Sequence, residues 1–229
     1  MFSNMSSDQK RILLVLTLIN FVNYLDRQVV FPLFGHLKAE FGLTDFHLGI
    51  LGTVFLLVHS LAALPLGLVA DKVSRKIVIA SGLALWSVAS FCSGLVHSFR
   101  GLLVARSFVG IGEASYAPAA VAMITDNFPE DTNARVQGIF NIGMLFGGTI
   151  GAILGALVAF YFNNWRIAFF LASIPGFILV YYVLKLKDVG HNKTEEKISF
   201  KQVLKNKIFL WIVFSGTLVS FAAGAFITW

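Results

Sequence analysis

Along the chain, long apolar runs alternate with short polar joints. Residues 46–70, 77–99, 136–165 and 208–229 contain no Asp, Glu, Lys or Arg and run for 25, 23, 30 and 22 residues. Each reaches the roughly 20 residues that a helix needs to cross a hydrocarbon core. Helices are the expected form, because lipid offers exposed backbone groups no partner and strands would need a closed barrel. The pattern predicts complete crossings near 12–35, 46–70, 77–97, 101–125, 136–160 and 166–185, with a seventh over 208–229. Pro32, Pro65, Pro118 and Pro175 fall within or near these crossings, where membrane helices tolerate proline as a kink. The expected layout is an N-terminal six-helix transmembrane bundle over 1–185, a basic linker over 186–207 and a seventh helix at which an incomplete chain stops.

Composition sharpens the class. Apolar residues make up 57% of the 229 and charged residues only 13%. Soluble domains run near a quarter charged, so a soluble enzyme and a disordered chain are both excluded, and an all-α integral membrane protein is expected. The one cysteine, Cys92, sits in an apolar run, which leaves no disulfide framework and no cysteine metal cluster. No metal or cofactor is expected. A net charge of +6 invites a nucleic-acid reading, but that needs a basic face on a soluble domain.

Topology accounts for the basicity better. With the N-terminus inside, thirteen Lys and Arg residues are cytoplasmic: 10, 11, 72, 75, 76, 135, 185, 187, 193, 197, 201, 205 and 207. Three (Lys38, Arg100 and Arg166) are outside, and Arg27 and Arg106 lie within the membrane. That is the positive-inside pattern, and it predicts a multi-pass plasma (inner) membrane protein with a cytoplasmic N-terminus. The opening MFSNMSSDQK is polar and too short for a cleaved signal peptide. In the linker, Ile198, Phe200, Val203 and Leu204 stand among lysines. They read either as a short helix on the membrane surface or as part of a solvated tether.

A charge at mid-bilayer costs roughly 2.5–3.5 kcal/mol even on lenient insertion scales, so four such residues need a reason. The first crossing carries Asn20, Asn23, Tyr24, Asp26 and Arg27, and the fourth carries Arg106 and Glu113. Arg106, Gly110 and Glu113 share one helical face, as do Asn20, Asn23 and Arg27. At about 1.5 Å per residue, Asp26 stands some 22 Å above the inner end of its crossing and Arg106 about 9 Å below the outer end of its own. In a core about 30 Å thick these levels nearly coincide, so an Asp26–Arg106 pair is feasible. Glu113 falls nearer the midplane, and His59 of the second crossing falls at a similar depth. Two readings stay open: a structural network neutralised in pairs, or a polar, water-accessible cavity with a titratable carboxylate. The second also explains why two asparagines share the facing stripes. His59 alone fits a structural role equally well.

Between the second and third crossings the chain reads G-L-V-A-D-K-V-S-R-K, Gly67 to Lys76. Gly67 is expected to let two helices approach closely, and Asp71 to accept hydrogen bonds from the next helix's first turn. The loop resembles the signature of the major facilitator superfamily, with Ser74 where glycine is commoner. The resemblance implies a cytoplasmic gate motif of Gly67, Asp71, Arg75, Lys76 and Asp126, in which Asp71, Arg75 and Asp126 form a charge latch made and broken between states. Without it, the loop is simply a basic topology signal. In the fifth crossing Gly143, Gly147, Gly151 and Gly155 form an unbroken i, i+4 stripe, with Gly138 and Gly148 beside it. It suits close helix packing or a surface that slides during transport. The superfamily's antiporters carry a proline in this region, and Phe146-Gly147-Gly148 has none, so antiport is not inferred.

The whole chain resembles the N-terminal half of a major facilitator carrier, which implies that fold plus the first helix of its C-terminal bundle. Asn23-Tyr24-Leu25-Asp26-Arg27 and Gly110-Ile111-Gly112-Glu113-Ala114-Ser115-Tyr116 look closest to the Spinster-type lipid transporters. Organic-anion symporters share the N-Y-x-D-R and G-x-G-E-A elements, so the choice of branch rests mainly on Ser115-Tyr116. The Spinster resemblance implies proton-coupled, alternating-access transport of an amphiphilic lipid such as a lysophospholipid or a sphingoid phosphate. Asp26 and Glu113 would carry protons. Arg27 and Arg106 would be their partners and contacts for an anionic headgroup, while Asn20, Asn23, Tyr24, His59 and Tyr116 would line the cavity. The implied partners are the lipid substrate, protons and the membrane, without nucleic acid, and the full-length protein is expected to be a monomer.

Two other classes compete. An intramembrane enzyme would need a nucleophile–base pair or two histidines at i, i+4, and His36, His47, His59, His97 and His191 show no such spacing. A non-transporting scaffold or receptor would be separated from a carrier by a flux assay.

Overall fold

The computed structural model describes residues 5–187, 206–211, 214–216 and 218–219. Helix α1 covers Ser7–Gln28 and opens on a reciprocal cap, in which Ser6 Oγ accepts from the Gln9 N–H and the Gln9 side chain accepts from the Ser6 N–H. It does not reach residue 35 as one helix. Pro32 has no N–H, and its ring would meet the carbonyl four residues back. The α-helix therefore ends at Gln28, a 3₁₀ turn covers Phe31–Leu33, and α2 resumes over Phe34–Phe41. Gly42 closes α2 in the left-handed region at φ 63°, where glycine carries no Cβ penalty. Then follow α3 (Asp45–Ala70), α4 (Arg75–Ser93), α5 (Phe99–Asn127), α6 (Glu130–Phe162) and α7 (Arg166–Leu184). Pro65, Pro118 and Pro175 lie inside α3, α5 and α7 without ending them.

Among the described residues, six helical spans are long and apolar enough to cross a membrane, with α1 to α2 counted as one. The protein is a multi-pass membrane protein. Helix α1 packs on α6 and α7, α5 packs on α3 and α4, and α4 also packs on α7. Exposure runs opposite to that of a soluble bundle. The most apolar window of α3, with mean hydropathy 2.0, is only 11% buried, whereas that of α5, with mean hydropathy 1.2, is 61% buried. Lipid tails are as apolar as leucine, so an apolar face gains nothing by turning inward. Exposed aromatics follow the same logic, with Phe160, Tyr161 and Phe162 closing α6 and Tyr181 and Tyr182 in the last turn of α7, where ring side chains favour the membrane–water boundary.

The glycine stripe is a close-packing seam inside the bundle. A Cβ on Gly143, Gly147, Gly151 or Gly155 would strike the carbonyl oxygens of Thr17, Phe21, Leu25 and Val29 in turn. Both helices advance four residues per contact, so α1 and α6 run parallel in fixed register. Gly67 behaves otherwise: a Cβ there would meet only Pro118 Cβ, at an ordinary 3.9 Å, so no close approach requires its glycine.

Two apolar clusters fill the interior. One gathers Ile12, Leu16, Ile79, Trp86, Tyr116 and Phe140, and the other gathers Leu33, Leu37, Leu102, Trp165 and Phe169. On α1 the first cluster ends at Val22 and the second begins at Leu25, and the polar residues of interest sit at that seam. Beyond the bundle, residues 207–211, 214–216 and 218–219 are helical. The rest of the expected seventh helix, and linker residues 188–205 with the expected surface helix, lie outside the described residues.

Candidate functional site

Asp26 and Arg27 are neighbours in sequence, but about 100° of helical rotation separates their directions, and they meet different partners. Arg106 of α5 donates from Nη1 to Asp26 Oδ2 at 2.8 Å, and its Nη2 reaches the Asp26 carbonyl at 3.5 Å. Ser90 of α4 donates its hydroxyl to Asp26 Oδ1. Both carboxylate oxygens are thus used, and the Arg106 and Asp26 side chains are 4% and 1% exposed. Breaking a buried pair of this kind by removing one partner costs about 3–5 kcal/mol.

Arg27 turns to Glu113, also of α5. Its Nη2 and Nε donate to the same oxygen, Oε2, at 2.7 and 3.2 Å. The Glu113 side chain is fully enclosed while that of Arg27 is 23% exposed. Glu113 Oε1 is buried without a hydrogen-bond partner, and so is Asn23 Nδ2, one turn before Arg27. The second pair is therefore open where the first is closed. Phe55 of α3 lies near both: its ring centroid is 5.2 Å from the Arg27 guanidinium carbon and 5.4 Å from that of Arg106. Tyr24 adds a second ring to Arg27 at 5.0 Å, and Phe169 adds one to Arg106 at 5.8 Å. Each such contact is worth about 0.5–2 kcal/mol, more where water is excluded.

The remaining candidate residues divide. Asn20 is buried and donates to the Phe140 carbonyl at 2.9 Å, a bond that ties α1 to α6. His59 is half-buried on α3, one turn beyond Phe55, with its ring 6.0 Å from the Phe55 ring. Tyr116 belongs to the packed core: it is 1% exposed, meets Trp86 edge to face at 5.9 Å, and donates its hydroxyl to the Leu16 carbonyl at 2.6 Å. At the end of the bundle carrying the 71–76 loop, Arg75 donates to Asp126 and, at 2.7 Å, to the Ala122 carbonyl. Lys76 donates to the Leu186 carbonyl at 3.2 Å, and Asp71 caps the end of α3. A shallow apolar groove of about 320 Å³ between α4 and α5, floored by Ala89, Gly101 and Ala105, shares no residue with the charged cluster.

A family model described as the Major Facilitator Superfamily matches residues 16–229. The chain belongs to the major facilitator superfamily. It is 30% identical to the protein spinster of Drosophila melanogaster over 94% of its own length and 37% of that protein's. It is 31% identical to the sphingosine-1-phosphate transporter SPNS2 of Xenopus tropicalis, over 94% of its own length and 44% of that protein's. The chain thus spans less than half of either relative. Among solved structures, it is similar to a bacterial homolog of the human lysosomal transporter Spinster, in an inward-facing and unoccupied conformation. The TM-score is 0.77 at 26% identity, covering 88% of this chain and 49% of that one.

Three contributors to the cluster of this major facilitator chain are not foreseen from the sequence: Ser90, Phe55 and Phe169. Ser90 had a faint signal, since Ser87, Ser90 and Ser93 recur every three residues on α4 and are all fully buried. The two phenylalanines had none, because 23 of them are spread along the chain. At the opposite end of the bundle, Glu40 accepts from both Nη atoms of Arg166, at 2.9 and 2.6 Å, and from Trp165 Nε1 at 2.6 Å. This clamp pins α2 to the start of α7 and gives Trp165-Arg166 a structural role.

Proposed function

We propose that the complete protein is a secondary active transporter that moves an amphiphilic lipid, such as a lysophospholipid or a sphingoid phosphate, by alternating access and with proton coupling. The observation that carries this reading is the asymmetry of Glu113, whose Oε2 takes both bonds from Arg27 while Oε1 is buried without a partner. A proton added at Oε1 cancels the carboxylate charge and loosens the hold on Arg27. The part-exposed guanidinium then has donors available for an anionic headgroup, bidentate geometry suiting phosphate. Asp26, paired with Arg106, completes the buried charge set. Asn20, Asn23, Tyr24 and His59 are the proposed polar surroundings. The relatives named as sphingosine-1-phosphate transporters support a lipid over a small organic anion.

In the same reading residues 1–185 form the N-terminal bundle, 186–207 the cytoplasmic linker and 208–229 the first helix of the second bundle. The Arg75–Asp126 contact, with Asp71 and Lys76, is the latch at the cytoplasmic end. The thirteen-to-three distribution of Lys and Arg supports a cytoplasmic N-terminus in the plasma (inner) membrane, and the transporter works as a monomer.

The test uses the full-length protein in liposomes. An inward proton gradient is expected to drive uptake of labelled sphingoid phosphate or lysophospholipid. Glu113→Gln is expected to abolish gradient-driven uptake while substrate exchange at equal pH survives. Unchanged gradient-driven uptake in that variant would remove Glu113 from the role, and no flux of any lipid would favour a scaffold.

A further inference from the structure

We propose that Phe55 is a positioning residue that holds the Arg27 guanidinium in place when Glu113 no longer carries its negative charge. The inference rests on the proton-coupled reading of Glu113 but adds a residue that the reading does not use. Three observations carry it. Phe55 is buried, 6% exposed as a residue, so its ring face is largely shielded from water. Its centroid lies within cation–π range of both arginines, 5.2 Å from Arg27 and 5.4 Å from Arg106, so it bridges the open pair and the closed one. Its backbone is fixed as well: a Cβ on Gly110 of α5 would come within 3.0 Å of the Phe55 carbonyl, so α3 and α5 are in tight contact at this residue.

The physical reason is a change of partner. With Glu113 ionised, Arg27 has a full counter-charge at 2.7 Å and the rings add little. With Glu113 neutral, the guanidinium keeps the negative faces of Phe55 and Tyr24, a neutral acceptor and the more distant charge of Asp26, which is itself taken up by Arg106. A long cationic side chain without such faces would swing toward water. Arg106 keeps Asp26 throughout and holds the other side of the ring, which makes Phe55 a fixed post for a mobile arginine.

The test is a double-mutant cycle on the stability of the full-length protein, with Glu113→Gln standing in for the neutral acid. Phe55→Met removes the ring face and keeps the volume close, whereas Phe55→Tyr keeps both. The fall in melting temperature caused by Phe55→Met is expected to be at least twice as large in the Glu113→Gln background as with Glu113 intact. Phe55→Tyr should behave like wild type in both. Equal falls in the two backgrounds would overturn the proposal. So would a Phe55→Met variant that fails to fold even with Glu113 intact, since the ring is then needed for the fold alone. The cycle reads stability and requires no transport. Failure of proton-driven uptake in wild type would strike the functional reading, whereas additivity in the cycle would strike only this inference.

Discussion

The two ion pairs inside the bundle are built from the same chemistry and are finished differently. Asp26–Arg106 is closed: each carboxylate oxygen has a donor, Ser90 supplying one, and both side chains are sealed from solvent. Arg27–Glu113 is open: one oxygen takes both bonds, the other takes none, and the arginine is nearly a quarter exposed. A closed pair resists change, because any altered partner leaves a buried charge uncompensated. An open pair leaves one carboxylate oxygen without a donor and its arginine part-exposed. A single step along α1 thus separates a fully bonded charge pair from an incompletely bonded one.

Stability measurements on the purified full-length protein can break or sharpen this contrast. The largest loss is expected for Asp26→Ala, which strands Arg106 in the interior and should cost about 3–5 kcal/mol. A loss as small as that of a surface substitution would mean the pair is not closed. Ser90→Ala removes one donor to a buried carboxylate and should cost about 1.5–3 kcal/mol. A neutral outcome would show that Asp26 finds another donor.

The contrast also depends on the rotation of α1, which the glycine seam sets. Gly147→Ala drives a methyl into the Phe21 carbonyl and should cost about 1–3 kcal/mol. Gly148→Ala, whose added Cβ would find its nearest neighbour at 3.6 Å, should stay within about 0.5 kcal/mol. Equal effects from the two neighbours would mean α1 and α6 do not hold this register. Among the charged residues the smallest loss is expected for Glu113→Gln, about 0.5–1.5 kcal/mol, because the amide still accepts from the part-exposed Arg27. A loss matching that of Asp26→Ala would erase the difference between the pairs.

Much of this is legible in the residues alone. Depth counting along two helices sets Asp26 and Arg106 at one level, and the structure places them 2.8 Å apart. The same counting sets Glu113 level with His59 and well below Arg27, yet the partner of Glu113 is Arg27, because counting backbone rise leaves out how far a long side chain reaches along the axis. The glycine stripe announces a close contact without naming what fills it, and α1 fills it with its own carbonyls. Tyr116 is expected in the cavity from the Spinster resemblance. Its side chain instead points into the core, where the Leu16 carbonyl takes its hydroxyl. Pro32 is expected to kink a continuous helix, and it ends one.

By itself, the sequence determined the membrane class, the number of crossings, the basic joints and the shared level of Asp26 and Arg106. These follow from length, hydropathy and rise per residue, which are properties of positions along one line. Only the tertiary structure decided which arginine meets which carboxylate, which oxygen of Glu113 is left bare, and that one phenylalanine serves two guanidinium groups. Those outcomes turn on how each helix is rotated against its neighbours, and that rotation is set by the contacts of all of them together.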